Sequence, residues 1–273
     1  MHFISSEKIS VPSSSRCYKL KFGILGLARR TFIVLVCLVV VLVAVSSTFA
    51  GEAESVILLH GYGRTTFSMR PLQNRLEEAG FMVHNIGYPS MRRSPAELIN
   101  ILDDQLKSCC STSPRIHFVT HSLGGILTRA YLAENHLENM GRVVMLAPPN
   151  QGSELADIAN GSVLLRAILG PTVVQLGTGE ESLPNRLPPP WYELGVIAGI
   201  DYFNPIGSFL VPEPSDGTVS MSRTRLDGMR DFVTVQKSHT FIMRSADVAE
   251  YVIRFLRTGH FSPPTMLPST DSR

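Results

Sequence analysis

The sequence predicts an α/β domain with a mostly parallel sheet flanked by helices. From residue 54 to residue 258, short apolar runs of strand length alternate with longer segments in which apolar residues recur at helical spacing. This alternation is typical of parallel strands joined by crossover helices. Hydrophobic residues make up 44% of the 273 residues and charged residues 18%, which permits a substantial core.

Six apolar runs have the length and composition of buried strands. They are residues 55–60, 81–86, 115–119, 142–147, 195–200 and 232–235. Helices are predicted over residues 69–79, from 95 to about 108, directly after the serine at 122, over 155–169 and after Ser245. The second of these helices has a capping-box pattern, because Ser94 precedes Glu97 by three residues and Pro95 takes the first helical position. Ser245 is expected to cap the last helix.

The segment 148–194 is long for a connection between two strands and is predicted to form a cap or lid. A plain long crossover is the alternative. The helix over 155–169 contains several large apolar residues: Leu155, Ile158, Val163, Leu164 and Leu165. These side chains either form an apolar pocket or membrane-facing lid, or pack on the sheet. The tail, residues 259–273, is rich in Pro and Ser and is predicted to be disordered.

The first fifty residues differ in kind from the rest. Residues 1–30 carry six basic side chains and one acidic one, and residues 32–45 are apolar without a break. A basic region, an apolar segment and small residues near Ala50 form the pattern of an export signal. The apolar segment, taken as about 31–50, also reaches the length of about 20 residues that a transmembrane helix needs.

A cleaved signal peptide and an uncleaved membrane anchor therefore both remain open. A buried core helix is disfavoured, because the run is apolar on every face. Both export alternatives place the domain in the cell envelope or outside the cell, since the basic flank stays in the cytoplasm.

The net charge of the chain comes from this leader. The whole chain has a formal charge of +2, but the residues after position 30 carry 19 basic and 22 acidic side chains, a charge of −3. The domain is therefore not predicted to bind nucleic acid.

The four cysteines give little guidance. Cys17 and Cys37 lie in the leader, and Cys109 and Cys110 are neighbours. A disulfide between adjacent residues is strained and rare, so packed or free thiols are expected. The spacing matches no metal site, and neither a metal ion nor a cofactor is predicted.

The motif with the most chemical content is T-H-S-L-G-G at residues 120–125. Ser122 follows a predicted strand and precedes a predicted helix. A serine on such a tight turn is pushed out of the sheet with backbone N–H groups close by, which is the geometry of the nucleophile elbow, G-x-S-x-G. Thr120 stands in place of the first glycine. The motif predicts Ser122 as a nucleophile.

A serine nucleophile needs a general base, which takes its proton. Three histidines follow Ser122 in the chain: His136, His239 and His260. His136 lies late in the helix after the elbow, and His260 begins the tail. His239 follows a strand and precedes the last helix, so it is the predicted base.

The base in turn needs an acid that orients it. Asp216, in the turn S-D-G-T-V at residues 215–219, is the preferred candidate because it lies between the last two strands. Asp201 directly follows a strand and is the alternative. Asp227 and Asp231 are weaker candidates.

The backbone N–H groups of Tyr62 and Leu123 are the predicted oxyanion hole. The first strand runs into H-G-Y-G at residues 60–63, where glycines let the backbone turn its N–H groups toward the nucleophile. His60 is expected to brace this loop, and His121 to shape the elbow, rather than to act as bases.

Together these motifs resemble the α/β-hydrolase superfamily, and within it the bacterial lipases and esterases. The resemblance rests on residues 60–63, 120–125 and 215–219 and on His239, and it covers roughly residues 54–257. Residues 147–153, A-P-P-N-Q-G-S, also resemble the segment where the cap of lipases begins. The predicted sheet is shorter than the family's full sheet, because no strand is evident before residue 55.

The resemblance implies a serine hydrolase that cleaves carboxylic esters, of lipids or other hydrophobic acyl groups, through an acyl-enzyme on Ser122. Acyl transfer and the hydrolysis of thioesters or amides use the same triad and remain open. A non-catalytic binding protein on this fold is disfavoured because every part of the triad is kept. The expected partner is a small-molecule or lipid ester, and membrane association through residues 31–50 is possible.

Overall fold

The computed structural model describes residues 53–201, 211–212 and 214–262. Within them, six strands form one sheet: β1 Ser55–Leu59, β2 Met82–Ile86, β3 Ile116–His121, β4 Met140–Leu146, β5 Leu194–Gly199 and β6 Asp231–Val235. The order across the sheet is β2-β1-β3-β4-β5-β6, and every neighbouring pair is parallel. This confirms the predicted fold class. The predicted strand bounds differ from the observed ones by one or two residues.

Within the same residues, long helices connect the first four strands and follow the last one, and shorter helices lie between. The helices are α1 Thr66–Glu78, α2 Pro95–Cys109, α3 Leu123–Glu134, α4 Glu154–Asn160, α5 Val163–Leu169, α6 Pro171–Val174, α7 Leu183–Arg186, α8 Met221–Thr224 and α9 Ala246–Thr258. The helices α4 to α7 fill the segment that was predicted to form a cap.

Helices cover both faces of the sheet. In β1, Val56 and Leu58 face the layer formed by α1 and α9, whereas Ile57 and Leu59 face α2 and α3. All four side chains are fully buried, as expected for a central parallel strand with both faces covered. Burial of each such side chain contributes about 1.5–3 kcal/mol to the free energy of unfolding. This packing holds the carboxyl ends of the strands, and the loops that follow them, in fixed positions.

The helix starts predicted at Ser94 and Ser245 are both found, but the hydrogen bond made by Ser245 is not the one expected of a cap. Ser94 Oγ accepts a hydrogen bond from the Glu97 N–H, and the Glu97 carboxylate accepts one from the Ser94 N–H at 2.8 Å, so the capping box is confirmed. Ser245 takes the N-cap position of α9, but its hydroxyl bonds the Asp247 carboxylate instead of a backbone N–H.

The prediction of one helix over residues 155–169 is wrong, because the chain forms α4 and α5 there. Gly161, a poor helix former, ends α4. Ser162 then begins α5, and its hydroxyl accepts a hydrogen bond from the Leu165 N–H. An N-cap of this kind favours a new helix start over continuation of the previous one.

The prediction of disorder from residue 259 is wrong for residues 259–262. Gly259 ends α9 in the left-handed conformation, with φ of 78°, and turns the chain back toward the core. Phe261 is 1% exposed and packs on Phe255 with a distance of 4.9 Å between ring centres. The Phe261 N–H also donates to the Asp231 carboxylate at 2.7 Å. Burial of one aromatic side chain therefore orders residues 259–262, although the sequence around them is rich in Pro and Ser.

The expectation of packed or free thiols at residues 109 and 110 is also wrong. Cys109 and Cys110 form a disulfide. Cys109 is the last residue of α2, whereas Cys110 leaves the helical conformation with φ of −130°. This change of backbone direction at the helix end brings the second sulfur to the first.

The predicted leader, residues 1–50, and residues 263–273 lie outside the described residues. Among the helices of the described part, none combines the length and the apolar character needed to cross a membrane.

Candidate active site

Ser122 lies on a sharp turn at the carboxyl end of β3. The strand ends at His121 and α3 begins at Leu123, so Ser122 alone makes the turn, with φ of 53° and ψ of −120°. A residue other than glycine rarely adopts positive φ, and such strain concentrates at functional sites. The turn places the Ser122 side chain at the edge of the sheet, 8% exposed, above the start of a helix.

Gly124, two residues after Ser122, is required by close packing. A Cβ atom at Gly124 would lie 2.7 Å from the carbonyl oxygen of Leu59 in the neighbouring strand. This contact explains why the second glycine of the elbow motif is present here.

The threonine in place of the first glycine is accommodated by another glycine. Thr120 is fully buried, and its Oγ1 would lie 3.3 Å from a Cβ atom at Gly125. Glycine at position 125 therefore avoids a tight contact with the Thr120 side chain.

The structure brings the predicted nucleophile, base and acid together. His239 Nε2 lies 3.0 Å from Ser122 Oγ, and His239 Nδ1 lies 2.7 Å from Asp216 Oδ2. With the proton on Nδ1, the ring donates to Asp216 and accepts from the Ser122 hydroxyl. This is the arrangement in which a histidine removes a proton from serine while a carboxylate orients the ring.

Asp216 is held rigidly for this task. It is 2% exposed, and its Oδ1 accepts hydrogen bonds from the N–H groups of Thr218 and Val219 at 3.0 and 2.8 Å. Its carbonyl oxygen accepts a further bond from the His239 N–H at 3.1 Å. The alternative acid, Asp201, is exposed and makes no contact with His239 within the described residues.

The predicted oxyanion donors flank Ser122. A Cβ atom at Gly61 would lie 2.6 Å from His121 Nδ1 and 3.2 Å from Ser122 Cβ, so glycine is needed for the loop to pass this close to the elbow. Within the described part of the chain, the N–H groups of Tyr62 and Leu123 form no hydrogen bond. They are available to an oxygen atom bound beside Ser122.

His60 and His121 take structural positions next to the site. His60 is buried, stacks on Tyr88 with 4.1 Å between ring centres, and has its Nδ1 2.9 Å from the Gly61 carbonyl oxygen. His121 Nε2 lies 2.9 Å from the carbonyl oxygen of His239. Burial lowers the pKa of both rings, and that of His121 falls well below its ordinary value. Both rings are therefore neutral and act through hydrogen bonds and packing.

A cavity of about 210 Å³ opens beside Ser122. Its walls are mostly apolar and come from the cap and from the loop that carries Asp216: Leu155, Ala156, Leu169, Val173, Leu176 and Val219. A cavity with one nucleophile and apolar walls suits a substrate with a hydrophobic acyl group.

The predicted cap is joined to the loop at residues 60–63 through one side chain. The Tyr62 hydroxyl donates to the carbonyl oxygen of Leu169 at the end of α5. Sequence reasoning identified Tyr62 only through its backbone, and no sequence signal connects it with Leu169, because the two residues are far apart in the chain.

The five apolar cap residues singled out from the sequence do not share one role. Leu155 lines the cavity beside Ser122, whereas the other four are exposed: Ile158, Val163, Leu164 and Leu165. In α5, none of the residues is buried. The cap therefore presents an apolar lining to the site and an apolar surface to solvent.

The comparisons with known proteins agree with this architecture. Residues 55–175 match the sequence model of the family described as palmitoyl protein thioesterase. The matched part contains Ser122 and the oxyanion loop but neither Asp216 nor His239. No curated protein sequence matches the chain significantly.

Solved structures with a similar fold include several hydrolases. The mature form of a lipase from Bacillus licheniformis is 21% identical with a TM-score of 0.58, over 71% of this chain and 88% of that one. Phospholipase PlaB from Legionella pneumophila is 17% identical with a TM-score of 0.59, over 77% and 60%. A metagenomic carboxyl esterase is 18% identical with a TM-score of 0.53, over 71% and 66%. With its parallel sheet and its serine on a strained strand-to-helix turn, the chain has the α/β-hydrolase fold.

Proposed function

We propose that this protein is a serine hydrolase that cleaves carboxylic esters of hydrophobic acyl groups through an acyl-enzyme on Ser122. The observation that carries the proposal is the pair of contacts made by His239, 3.0 Å to Ser122 Oγ and 2.7 Å to Asp216 Oδ2. These contacts couple a nucleophile to a base and the base to an acid, which is the requirement for acyl transfer.

The mechanism follows from these positions. Ser122 Oγ attacks the acyl carbonyl carbon while His239 Nε2 takes the hydroxyl proton, and Asp216 stabilises the charged ring that results. The N–H groups of Tyr62 and Leu123 donate to the developing oxyanion. His239 then gives the proton to the leaving oxygen, and a water molecule, activated by the same ring, releases the acyl group. Loss of one oxyanion donor costs on the order of 3 kcal/mol in comparable sites.

Labelling and hydrolysis test the proposal directly. A fluorophosphonate probe is expected to label Ser122 and to leave the Ser122→Ala variant unlabelled. Hydrolysis of p-nitrophenyl esters is expected to require the same residue. Absence of both labelling and hydrolysis in the folded protein would favour a non-catalytic binding protein on this fold.

A thioesterase is the second candidate, because the matching family model is that of palmitoyl protein thioesterases. The triad can open a thioester by the same steps, with a thiolate as the leaving group. A matched pair of substrates, an oxygen ester and a thioester of the same acyl group, separates the two. A higher kcat/KM for the oxygen ester supports the main proposal, and a higher value for the thioester supports the second.

We also propose that the protein is exported, with the hydrolase domain outside the cytoplasm. Support comes from the sequence of residues 1–50 alone: six basic residues in the first thirty, then an apolar segment and small residues near Ala50. Cell fractionation and N-terminal sequencing test this. A new N-terminus near residue 51 indicates a cleaved signal, an intact N-terminus in the membrane fraction indicates an anchor, and an intact cytosolic protein contradicts export.

A further inference from the structure

Three side chains that can bind metal meet at the edge of the sheet, apart from the site around Ser122. Cys109 and Cys110 end α2, and His84 lies in the middle of β2, the edge strand. The two sulfur atoms and a ring nitrogen of His84 all lie within 4.8 Å of one another. None of the proposed hydrolase chemistry uses these residues.

The imidazole of His84 lacks the hydrogen bond that a buried ring nitrogen normally has. Its Nε2 is buried and has no hydrogen-bond partner among the described residues. An unpaired buried polar atom costs about 1–3 kcal/mol, so native structures rarely keep one without a use.

The cluster is accessible from solvent. A cavity of about 300 Å³ lies beside Cys109 and is lined by residues such as Ser55, Met82 and Ser113. Cys109 itself is partly exposed, whereas Cys110 is buried. A small reductant or a hydrated ion therefore has a path to the first sulfur.

We propose that Cys109, Cys110 and His84 form a zinc site that the disulfide closes and that reduction opens. A dithiol reductant supplies two electrons and two protons, the Cys109–Cys110 S–S bond breaks into two thiols, and the reductant leaves as its own disulfide. Zn²⁺ then binds both sulfurs as thiolates, releasing two protons, and takes a His84 ring nitrogen as its third ligand. Water completes the tetrahedral set.

The donor set selects zinc over the common hard cations. Two thiolates and one imidazole are soft or borderline ligands, whereas Mg²⁺ and Ca²⁺ require oxygen atoms, which none of the three side chains offers. Zn–S bonds of about 2.3 Å and Zn–N bonds of about 2.0 Å place the ligand atoms of a tetrahedral site roughly 3.3–3.8 Å apart. The three ligand atoms already lie within 4.8 Å of one another, and breaking the S–S bond lets the two sulfur atoms separate toward these distances.

The position of the cluster makes it independent of the proposed hydrolase site. The cavity lies at the amino ends of β1 and β2, since Ser55 and Met82 are their first residues, whereas Ser122 follows the carboxyl end of β3. A strand of about six residues spans roughly 20 Å. Ester hydrolysis can therefore report that the protein remains folded while the cluster is titrated.

Zinc titration of the full-length protein tests the proposal. The protein is treated with excess dithiothreitol, freed of reductant without oxygen, and titrated with Zn²⁺ against a chromophoric chelator. One equivalent is expected to bind to the reduced protein and none to the oxidised protein at this site. Replacement of Zn²⁺ by Co²⁺ is expected to give the thiolate-to-cobalt absorption of a tetrahedral site with two sulfur ligands.

Variants assign the ligands. His84→Gln keeps both thiols and is expected to weaken zinc binding at least tenfold, whereas the matched surface variant His136→Gln is expected to bind as the parent does. Equal affinity in the parent and His84→Gln would overturn the proposal, as would zinc binding that persists in the double variant Cys109→Ser, Cys110→Ser. Loss of Ser122 labelling on reduction alone would also overturn it, because the disulfide would then be needed for the fold.

Discussion

His121 is joined to the backbone of His239 by a hydrogen bond of 2.9 Å between its ring Nε2 and the His239 carbonyl oxygen. His121 is the last residue of β3 and immediately precedes Ser122, so this bond ties the nucleophile turn to the loop that carries the base. Because burial keeps the His121 ring neutral, the acceptor fixes its proton on Nε2. This hydrogen bond therefore fixes the distance between Ser122 and His239, although His121 is not one of the three predicted catalytic residues.

We expect His121→Ala to lower kcat on the order of 10- to 100-fold, because a displacement of about 1 Å in a catalytic group can cost 100-fold. KM for a short ester should change little, since the His121 side chain does not line the cavity beside Ser122. Steady-state kinetics on a p-nitrophenyl ester measure both constants. His136→Ala, which removes an exposed histidine stacked on Trp191, is the control. Equal kcat in the two variants would show that the bond does not position the base.

The same buried histidines predict how stability depends on pH. Burial lowers the pKa of His60 and His121 below the ordinary value of 6.5. Below that pH the unfolded chain binds protons that the folded chain does not, so the free energy of unfolding decreases as the pH falls through 6.5 and is fully retained above it. Urea unfolding at about pH 7.5 and about pH 5 should show this loss.

His121→Asn tests whether His121 contributes to the loss of stability at low pH, because the variant lacks one titrating group and keeps a side-chain hydrogen-bond donor. The variant is less stable at neutral pH, but its stability should fall less between the two pH values than that of the parent. A fall of the same size in both proteins would mean that His121 does not contribute to the acid sensitivity.

The sequence predicted the sheet well because each central strand is a short apolar run with turns or helices on both sides. β1, with the sequence SVILL, is buried along its whole length and is almost entirely apolar. β3 is also buried along its whole length, and its apolar residues at 116, 118 and 119 mark it as a strand although it also contains three polar residues. The predicted base could be selected because only three histidines follow Ser122 and only His239 lies between a predicted strand and the last helix. The predicted acid needed the same positional argument, and it left Asp201 as an alternative to Asp216. Their roles in catalysis are predictions that labelling and kinetics test.

Features that depend on contacts between distant residues were not predictable in this way. The hydroxyl of Tyr62 bonds the carbonyl oxygen of Leu169, and Thr120 packs beside Gly125. Neither relationship leaves a periodic pattern in the sequence. Phe261 was assigned to a disordered tail because composition describes a segment and does not register the burial of one side chain.

Substitutions of Asp216 and Asp201 test which aspartate orients the His239 ring. Asp216→Asn should lower kcat on the order of 10³- to 10⁴-fold, because an amide cannot hold the tautomer and stabilise the charge of the His239 ring. Asp201→Asn should leave kcat unchanged, since Asp201 is exposed. Kinetics of both variants on one ester decide the matter. The reverse pattern would transfer the acid role to Asp201.

Substitution of Gly124 tests the packing that supports Leu123, the predicted oxyanion donor. In Gly124→Ala, the new methyl group would lie 2.7 Å from the Leu59 carbonyl oxygen, so the start of α3 must move away from β1. The Leu123 N–H moves with it, and we expect kcat to fall by about 100-fold or more, the cost of one lost donor. Gly179→Ala is the matched control, because a Cβ atom at Gly179 would have no atom of the described residues within 4 Å. An unchanged kcat in Gly124→Ala would contradict the assignment of Leu123 as a donor.

The size of the cavity beside Ser122 predicts the length of the preferred acyl chain. A dry apolar cavity of about 150 Å³ holds the six carbons of benzene, so a cavity of about 210 Å³ has room for roughly eight carbons. We therefore expect kcat/KM to be highest for hexanoyl and octanoyl esters and to be lower for palmitoyl esters. A series of p-nitrophenyl esters from acetyl to palmitoyl measures this preference.

Two variants that change the cavity in opposite directions make the prediction specific. Ala156→Phe adds a ring to the cavity wall and should move the optimum to shorter chains, whereas Leu176→Ala removes part of the wall and should move it to longer ones. Leu176→Ala also costs about 2–5 kcal/mol of stability, so fluorophosphonate labelling of Ser122 must first show that it is folded. Ile158→Ala, an exposed change on the same cap, should keep the parental optimum because that side chain does not line the cavity. If the optimum stays the same in all three labelled variants, the acyl chain binds outside this cavity.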